Sequence, residues 1–426
     1  MRVFTTGAVF ALIPLVIAGA ATAVAKPEKK QVVTGPVAVY WIDTSTNSGM
    51  TLGGMGAKPS MSQIMTMMKG GDNVSHSLML RLGSSQAASG PPSGDHLPPA
   101  ALNGGKPLPL DWKEVKATTY TPQHEAAPDH YEPPRGRILI FWGCGEHAPK
   151  NQPVVIDLSK LTDPAARMQM MKQMVPQSVA LETVNPPSPS TSKTYGEWPN
   201  SKPNGSMSFD GASSLVGAHA VKANYSPDIA FSLDPGQDFL PPIAVSGNSR
   251  DAEGAVPLAW GPVARSRGFV VTAVGGGQDT VVMWTSAATQ TAWMGFAPQY
   301  LTARDLDRLV ADKTVLPGTA TGCTVPAEVV SSAQGLMYGI TAYGGDTTMS
   351  YPPRPSDPNV AWNIQWETKI RYRSATGGML GHDMGMGGQA ASDPSQAPQQ
   401  TGDQGKKKKS SLFGTMIKQG VGSFIP

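Results

Sequence analysis

With 426 residues the chain is long enough for two or three ordinary domains. A formal net charge of +3, with only 15% charged residues, argues against the broad basic surface of a nucleic-acid binder. The 47 glycines and 39 prolines weigh against a helical protein and favour turn-rich β structure with long loops.

The N-terminus reads as a secretory signal. Arg2 supplies the positive charge, Val9 to Ala21 the apolar run, and Ala23-Val24-Ala25 the small residues before a cut. The run is short for a membrane span and contains Pro14. Residues 1–25 are expected to be a signal peptide, and no cysteine follows the cut to carry a lipid anchor. The expected location is the periplasm or the cell surface.

A short strand ending in tryptophan then occurs three times. Its copies are Val37 to Trp41, Ile138 to Trp142 and Thr280 to Trp284. Each reads as a buried central strand rather than an edge. Other features recur around it in the same order. The alternating run Ser77 to Leu82 returns as Asp228 to Leu233, Asp95 to Pro99 as Asp238 to Pro242, and Leu110-Asp111-Trp112 as Leu258-Ala259-Trp260. A weaker third copy comprises Gly335 to Ile340, Ala361 to Trp366 and Lys369 to Arg373. In that last run the charged residues alternate with apolar ones, as in a strand with one wet face.

Helix candidates follow the tryptophan strands. Ser60 caps Met61, Ile64, Met65 and Met68, ended by Gly70-Gly71. Asp163-Pro164 starts a second, with Met168, Met171 and Val175 on one face. Thr302 starts a third, with Leu306, Leu309 and Val310 inward. The expected fold is mainly β: tandem, diverged β-sandwich-like modules with short crossover helices, over residues 32–146, 147–290 and, more weakly, 291–376. Layers of the α+β type are the alternative. Residues 377–405 are rich in Gly, Gln and Ser and read as a flexible linker.

Candidate chemistry is thin. Gly53-Gly54-Met55-Gly56-Ala57-Lys58-Pro59-Ser60 lacks the Gly-Lys-Ser/Thr of a phosphate loop, so no nucleotide is expected. His124, Glu125, Asp129, His130 and Glu132 are metal-ligand types, but the two histidines are six apart and Pro128 interrupts them. The corresponding loop of the second copy, Gly275-Gly276-Gly277-Gln278, holds no ligands. His382, Met384 and Met386 suit Cu(I), as one short cluster in the linker. These are weak metal candidates, and no cofactor is expected. Cys144, Glu146 and His147 follow the second tryptophan strand, where a thiol beside a histidine can act as nucleophile or soft ligand. Cys144 and Cys323 are the only cysteines; they are either joined as a disulfide or buried as separate thiols. No serine-hydrolase or zinc-protease motif is visible, and catalytic carboxylates for glycan hydrolysis cannot be chosen from spacing.

The tail carries the sharpest signal. Lys406, Lys407, Lys408 and Lys409 precede Ser410-Ser411, a helix start. Phe413, Met416, Ile417, Val421 and Phe424 then form one apolar stripe, weakened by Gly420 and Gly422. The lysines stand where the helix dipole disfavours them, which points to an external anionic surface. Residues 406–426 are therefore expected to dock on a membrane surface or an envelope protein partner; a solvated tail, or one folded back on its own body, is the alternative. The expected function is an exported, non-catalytic structural or interaction protein, with an envelope glycan hydrolase or a metal-handling protein as alternatives.

Overall fold

The computed structural model describes residues 31–49, 74–112, 136–162, 181, 186–199, 208–277, 279–291 and 297–381. The chain is mainly β. Its largest sheet has twelve strands. Ten of them run in the order β6 (Asp111–Trp112), β9 (Thr194–Trp198), β3 (Ser75–Ser84), β2 (Ala38–Asn47), β21 (Trp366–Met379), β19 (Gly335–Tyr351), β15 (Gly268–Gly276), β16 (Thr280–Thr285), β7 (Arg137–Trp142) and β8 (Val154–Asp157). β10 (Ser208–Asp210) pairs with β3, and β17 (Leu316–Pro317) with β15.

Three smaller sheets complete the fold. One is β12 (Ile229–Leu233), β11 (Gly217–Ala223), β4 (Gly94–Leu97) and β5 (Leu108–Pro109). Another is β13 (Val245–Gly247), β14 (Val256–Trp260) and β18 (Gly322–Val325). The third pairs β1 (Val33–Thr34) in parallel with β20 (Trp362–Asn363). Two helices are described, α1 (Ala303–Ala311) and α2 (Ala327–Ser331).

The period of two along each strand explains the layers. Tyr40 and Ile42 of β2, Leu78, Leu80 and Leu82 of β3, and Ile370 and Tyr372 of β21 all lie in the main core. They share it with Val221, Ile229, Phe231 and Leu233 of the four-stranded sheet. Val256, Leu258 and Trp260 of the three-stranded sheet, with Val329 and Val330 of α2, extend the same core. The arrangement is sandwich-like, one broad sheet covered by two small ones. Alternate residues build two further clusters: Ile138, Ile140, Ile156, Val281 and Met283 in one, Val270, Leu306, Leu309, Val315 and Tyr343 in the other.

All three tryptophan strands belong to the large sheet. β16 and β7 are parallel neighbours, with Trp284 opposite Phe141. β2 is parallel to β21 and antiparallel to β3, central and buried on both faces. The stretches 32–146, 147–290 and 291–376 all contribute strands to this one sheet, interleaved along its order. Sequence counterparts also stand in different places. The run 77–82 lies in the large sheet and 229–233 in the four-stranded one, while Trp112 is exposed and Trp260 is buried.

Thr302 does cap α1, its hydroxyl accepting from the Asp305 N–H, and Leu306 and Leu309 face inward. The helix candidates at 60–70 and 163–175 lie outside the described residues, as do the expected signal peptide and residues 382–405 of the expected linker; residues 377–379 of that stretch instead continue β21, and Leu380 is buried in the core. α2 is too short for any periodicity to announce it. Cys144 and Cys323 are bonded, with Cα atoms 5.3 Å apart, and so tie the end of β7 to β18. Backbone bonds from Gly145 N–H to the Thr324 carbonyl and from Ala327 N–H to the Glu146 carbonyl hold the same junction.

Candidate functional site

A cluster of charged side chains among the described residues lies on the face of the large sheet away from its main core. Three neighbouring strands build it. β2 presents Trp41, Asp43 and Ser45; β3 presents Ser77, Met79 and Arg81; β21 presents Lys369, Arg371 and Arg373. Pairing sets Asp43 opposite Arg371 on one side and Met79 on the other, and Ser45 opposite Arg373 and Ser77. Each of these residues alternates with a core residue, so the strand period alone aims them to one side. Gln299 and Tyr300, just before α1, close over them, and the Tyr300 hydroxyl donates to the Thr44 carbonyl at 3.1 Å.

Asp43 is the electrostatic centre. It is 4% exposed, and Arg371 grips it with two bonds, Nε to Oδ1 at 2.6 Å and Nη2 to Oδ2 at 2.7 Å. Such a fork is the strong geometry for a guanidinium and a carboxylate. Arg81 Nη1 stands 3.1 Å from Asp43 Oδ2, an ion-pair distance without hydrogen-bond alignment. Lys369 pairs with Asp346 of β19 at 3.0 Å. Arg373 donates to Ser45 Oγ at 3.0 Å and to Gln299 Oε1 at 2.7 Å. The guanidinium of Arg371 lies over two rings, 4.8 Å from the centre of Trp41 and 4.3 Å from that of Tyr300. Burial pushes the Tyr300 hydroxyl well above its ordinary value, so it stays a donor. Between these groups is a cleft of about 220 Å³, edged by Ser77, Met79, Tyr300 and Arg373.

A second polar feature is internal. The Tyr40 hydroxyl bonds His96 Nδ1 at 2.7 Å, His96 Nε2 meets His219 Nδ1 at 3.2 Å, and His219 Nε2 meets the Leu215 carbonyl at 2.6 Å. A carbonyl only accepts, so His219 carries its proton on Nε2 and accepts on Nδ1. His96 then donates from Nε2 and accepts the Tyr40 hydroxyl on Nδ1. Every group is satisfied with both rings neutral. Burial, and then the neighbouring His219, lower His96 to about 3; burial lowers His219 as well. His76 is also committed internally, stacked on Phe239 with ring centres 4.0 Å apart and bonded to Thr46 Oγ1 and the Gly211 carbonyl.

The residues singled out from sequence fall elsewhere. Cys144 is consumed by the disulfide, so neither the thiol nucleophile nor the soft-metal ligand is present. His147 is exposed and lies 3.1 Å from Glu328 and 3.6 Å from Glu253, on different ring nitrogens. Gly275 and Gly276 end β15 in the hairpin to β16. His124, His130, His382, Met384 and Met386 lie outside the described residues, as do Gly53 to Ser60, Lys406 to Lys409, Phe413, Met416, Ile417, Val421 and Phe424. Among the described residues no group of three or more His, Cys, Asp or Glu side chains could hold a metal ion. Among them, too, no helix is long and apolar enough to cross a membrane.

Sequence reading missed Asp43, Arg81 and Tyr300 as partners of the 369–373 run. The available signal was Asp43 itself, a carboxylate in the middle of a central apolar strand, which needs a cation. No family model matches the sequence, and no curated protein or solved structure matches the chain.

Proposed function

We propose that the chain is an exported, non-catalytic interaction protein of the cell envelope. In this reading the β body is a rigid scaffold, and residues 406–426 dock it on a membrane surface or an acidic envelope partner. The observation that supports export is the Cys144–Cys323 disulfide, a bond that persists in oxidising compartments. It accords with the signal-like first 25 residues of the sequence. The role of the β body as a scaffold is supported by described polar side chains that are committed to the fold itself. His76, His96 and His219 serve internal hydrogen bonds, both cysteines are bonded, and Asp43 is held by two arginines.

The test is deletion of residues 406–426 from the full chain, followed by cell fractionation. The shortened protein is expected to move from the membrane fraction to the soluble fraction of the envelope, with its disulfide intact. An unchanged partition would refute docking through the tail. Recovery of the mature chain inside the cytoplasm with free thiols would refute export.

A further inference from the structure

The cleft beside Asp43 has more positive charge than the fold itself uses. Lys369, Arg371 and Arg373 stand at every second position of β21, on one face, and Arg81 lies across β2 from them. Among the described residues, Asp43 is shared by Arg81 and Arg371, and Asp346 is taken by Lys369. Glu197 stands opposite Arg81 on β9, where it accepts the Tyr195 hydroxyl at 2.7 Å. Arg373 is the exception. Its hydrogen bonds go to the neutral oxygens of Ser45 and Gln299, and its guanidinium lies 5.4 Å from the centre of the Tyr300 ring. Arg81 Nη1 is buried with no aligned acceptor.

A guanidinium that is half-buried and matched only by neutral groups is a strong donor for an anion entering beside it. The cleft supplies the room. Its volume of about 220 Å³ accommodates a single oxyanion group or an acid of monosaccharide size, and it is below the range of drug-sized ligand pockets. Ser77 adds a hydroxyl at the edge and Met79 an apolar wall. We infer that this cleft, between β2, β3, β21 and the segment before α1, binds a small oxyanion: a carboxylate, phosphate or sulfate group. Arg373 is its direct donor and the Ser77 hydroxyl its second contact. Arg371 and Asp43 hold the floor and do not themselves bind. The inference is independent of export and of tail docking.

Isothermal titration of the full mature chain at constant ionic strength tests it, with inorganic phosphate, sulfate and D-glucuronate as probes and glucose as the neutral control. Saturable binding of at least one oxyanion is expected, with none for glucose; which probe binds separates phosphate or sulfate from a carboxylated sugar. Arg373→Gln is expected to weaken that binding at least tenfold, the scale of one lost charge-assisted contact. Arg354→Gln, exposed and stacked on Trp362 elsewhere, is expected to leave it unchanged. Ser77→Gln, which fills the cleft without touching the ion pairs, is expected to weaken it too and serves if Arg373→Gln does not fold. The inference fails if no oxyanion binds saturably up to about 10 mM, the weak limit for a specific charged site. It fails equally if the folded variants bind as well as the parent.

Discussion

Acid should unfold this protein through His96. The ring is buried between Tyr40 and His219, with both nitrogens already used by neutral partners. Its pKa in the fold is lowered from 6.5 to about 3. In the unfolded chain it titrates at its ordinary value. Between those two values the unfolded state binds a proton that the folded state refuses. The stability from keeping His96 neutral is therefore complete above pH 6.5 and is lost progressively as pH falls towards 3. At pH 5 the unfolded ring is about 1.5 units below its pKa, so the loss is about 2 kcal/mol, from 1.36 kcal/mol per unit. His219 is lowered for the same reason and adds loss in the same direction. The assay is urea unfolding of the parent and of His96→Gln at pH 7 and pH 5. The variant is expected to be less stable at pH 7, having broken the chain of hydrogen bonds, and the gap is expected to narrow by about 2 kcal/mol at pH 5. A gap that does not change with pH would refute the reasoning. So would a His96 ring resonance titrating near its ordinary value in the folded protein, a measurement that stands even if the variant does not fold.

Other consequences follow from single contacts. Asp43→Ala leaves the half-buried guanidiniums of Arg81 and Arg371 without their shared, buried carboxylate and is expected to destabilise by about 3 kcal/mol in chemical unfolding. Replacing Cys144 and Cys323 together by serine opens a loop with a sequence separation of 179, and about 5 kcal/mol is expected to be lost in the chain-entropy account. An unfolding midpoint equal to that of the parent would show that the junction is held by the backbone bonds around Gly145 and Ala327 instead. Thr302→Ala removes the α1 cap and is expected to cost about 1 kcal/mol in the same assay.

The sequence by itself determined several of the strands and which of their faces are apolar, while β9, β11, β15 and β18 left no reading of their own. Leu78, Leu80 and Leu82, or Ile370 and Tyr372 between the cations of β21, state their burial through a period of two, because adjacent side chains on a strand must point to opposite sides. The cap at Thr302 was legible for a similar local reason: a hydroxyl just before an apolar helical stripe has backbone donors to satisfy. The short α2 left no such trace, since five residues span little more than one turn.

Pairing was decided only by the tertiary structure. The tryptophan strands share composition, yet composition does not say which strand lies beside which. β2 took β21, whose first residue lies 319 positions after Asn47, and β16 took β7 in parallel. Those long-range choices interleaved all three stretches in one sheet and brought Cys144 to Cys323. They also set Asp43 against Arg371, and so made a charged centre from residues that look unrelated along the chain. Local propensity and periodicity act over a few residues; the partner of a buried charge is chosen by the sheet order.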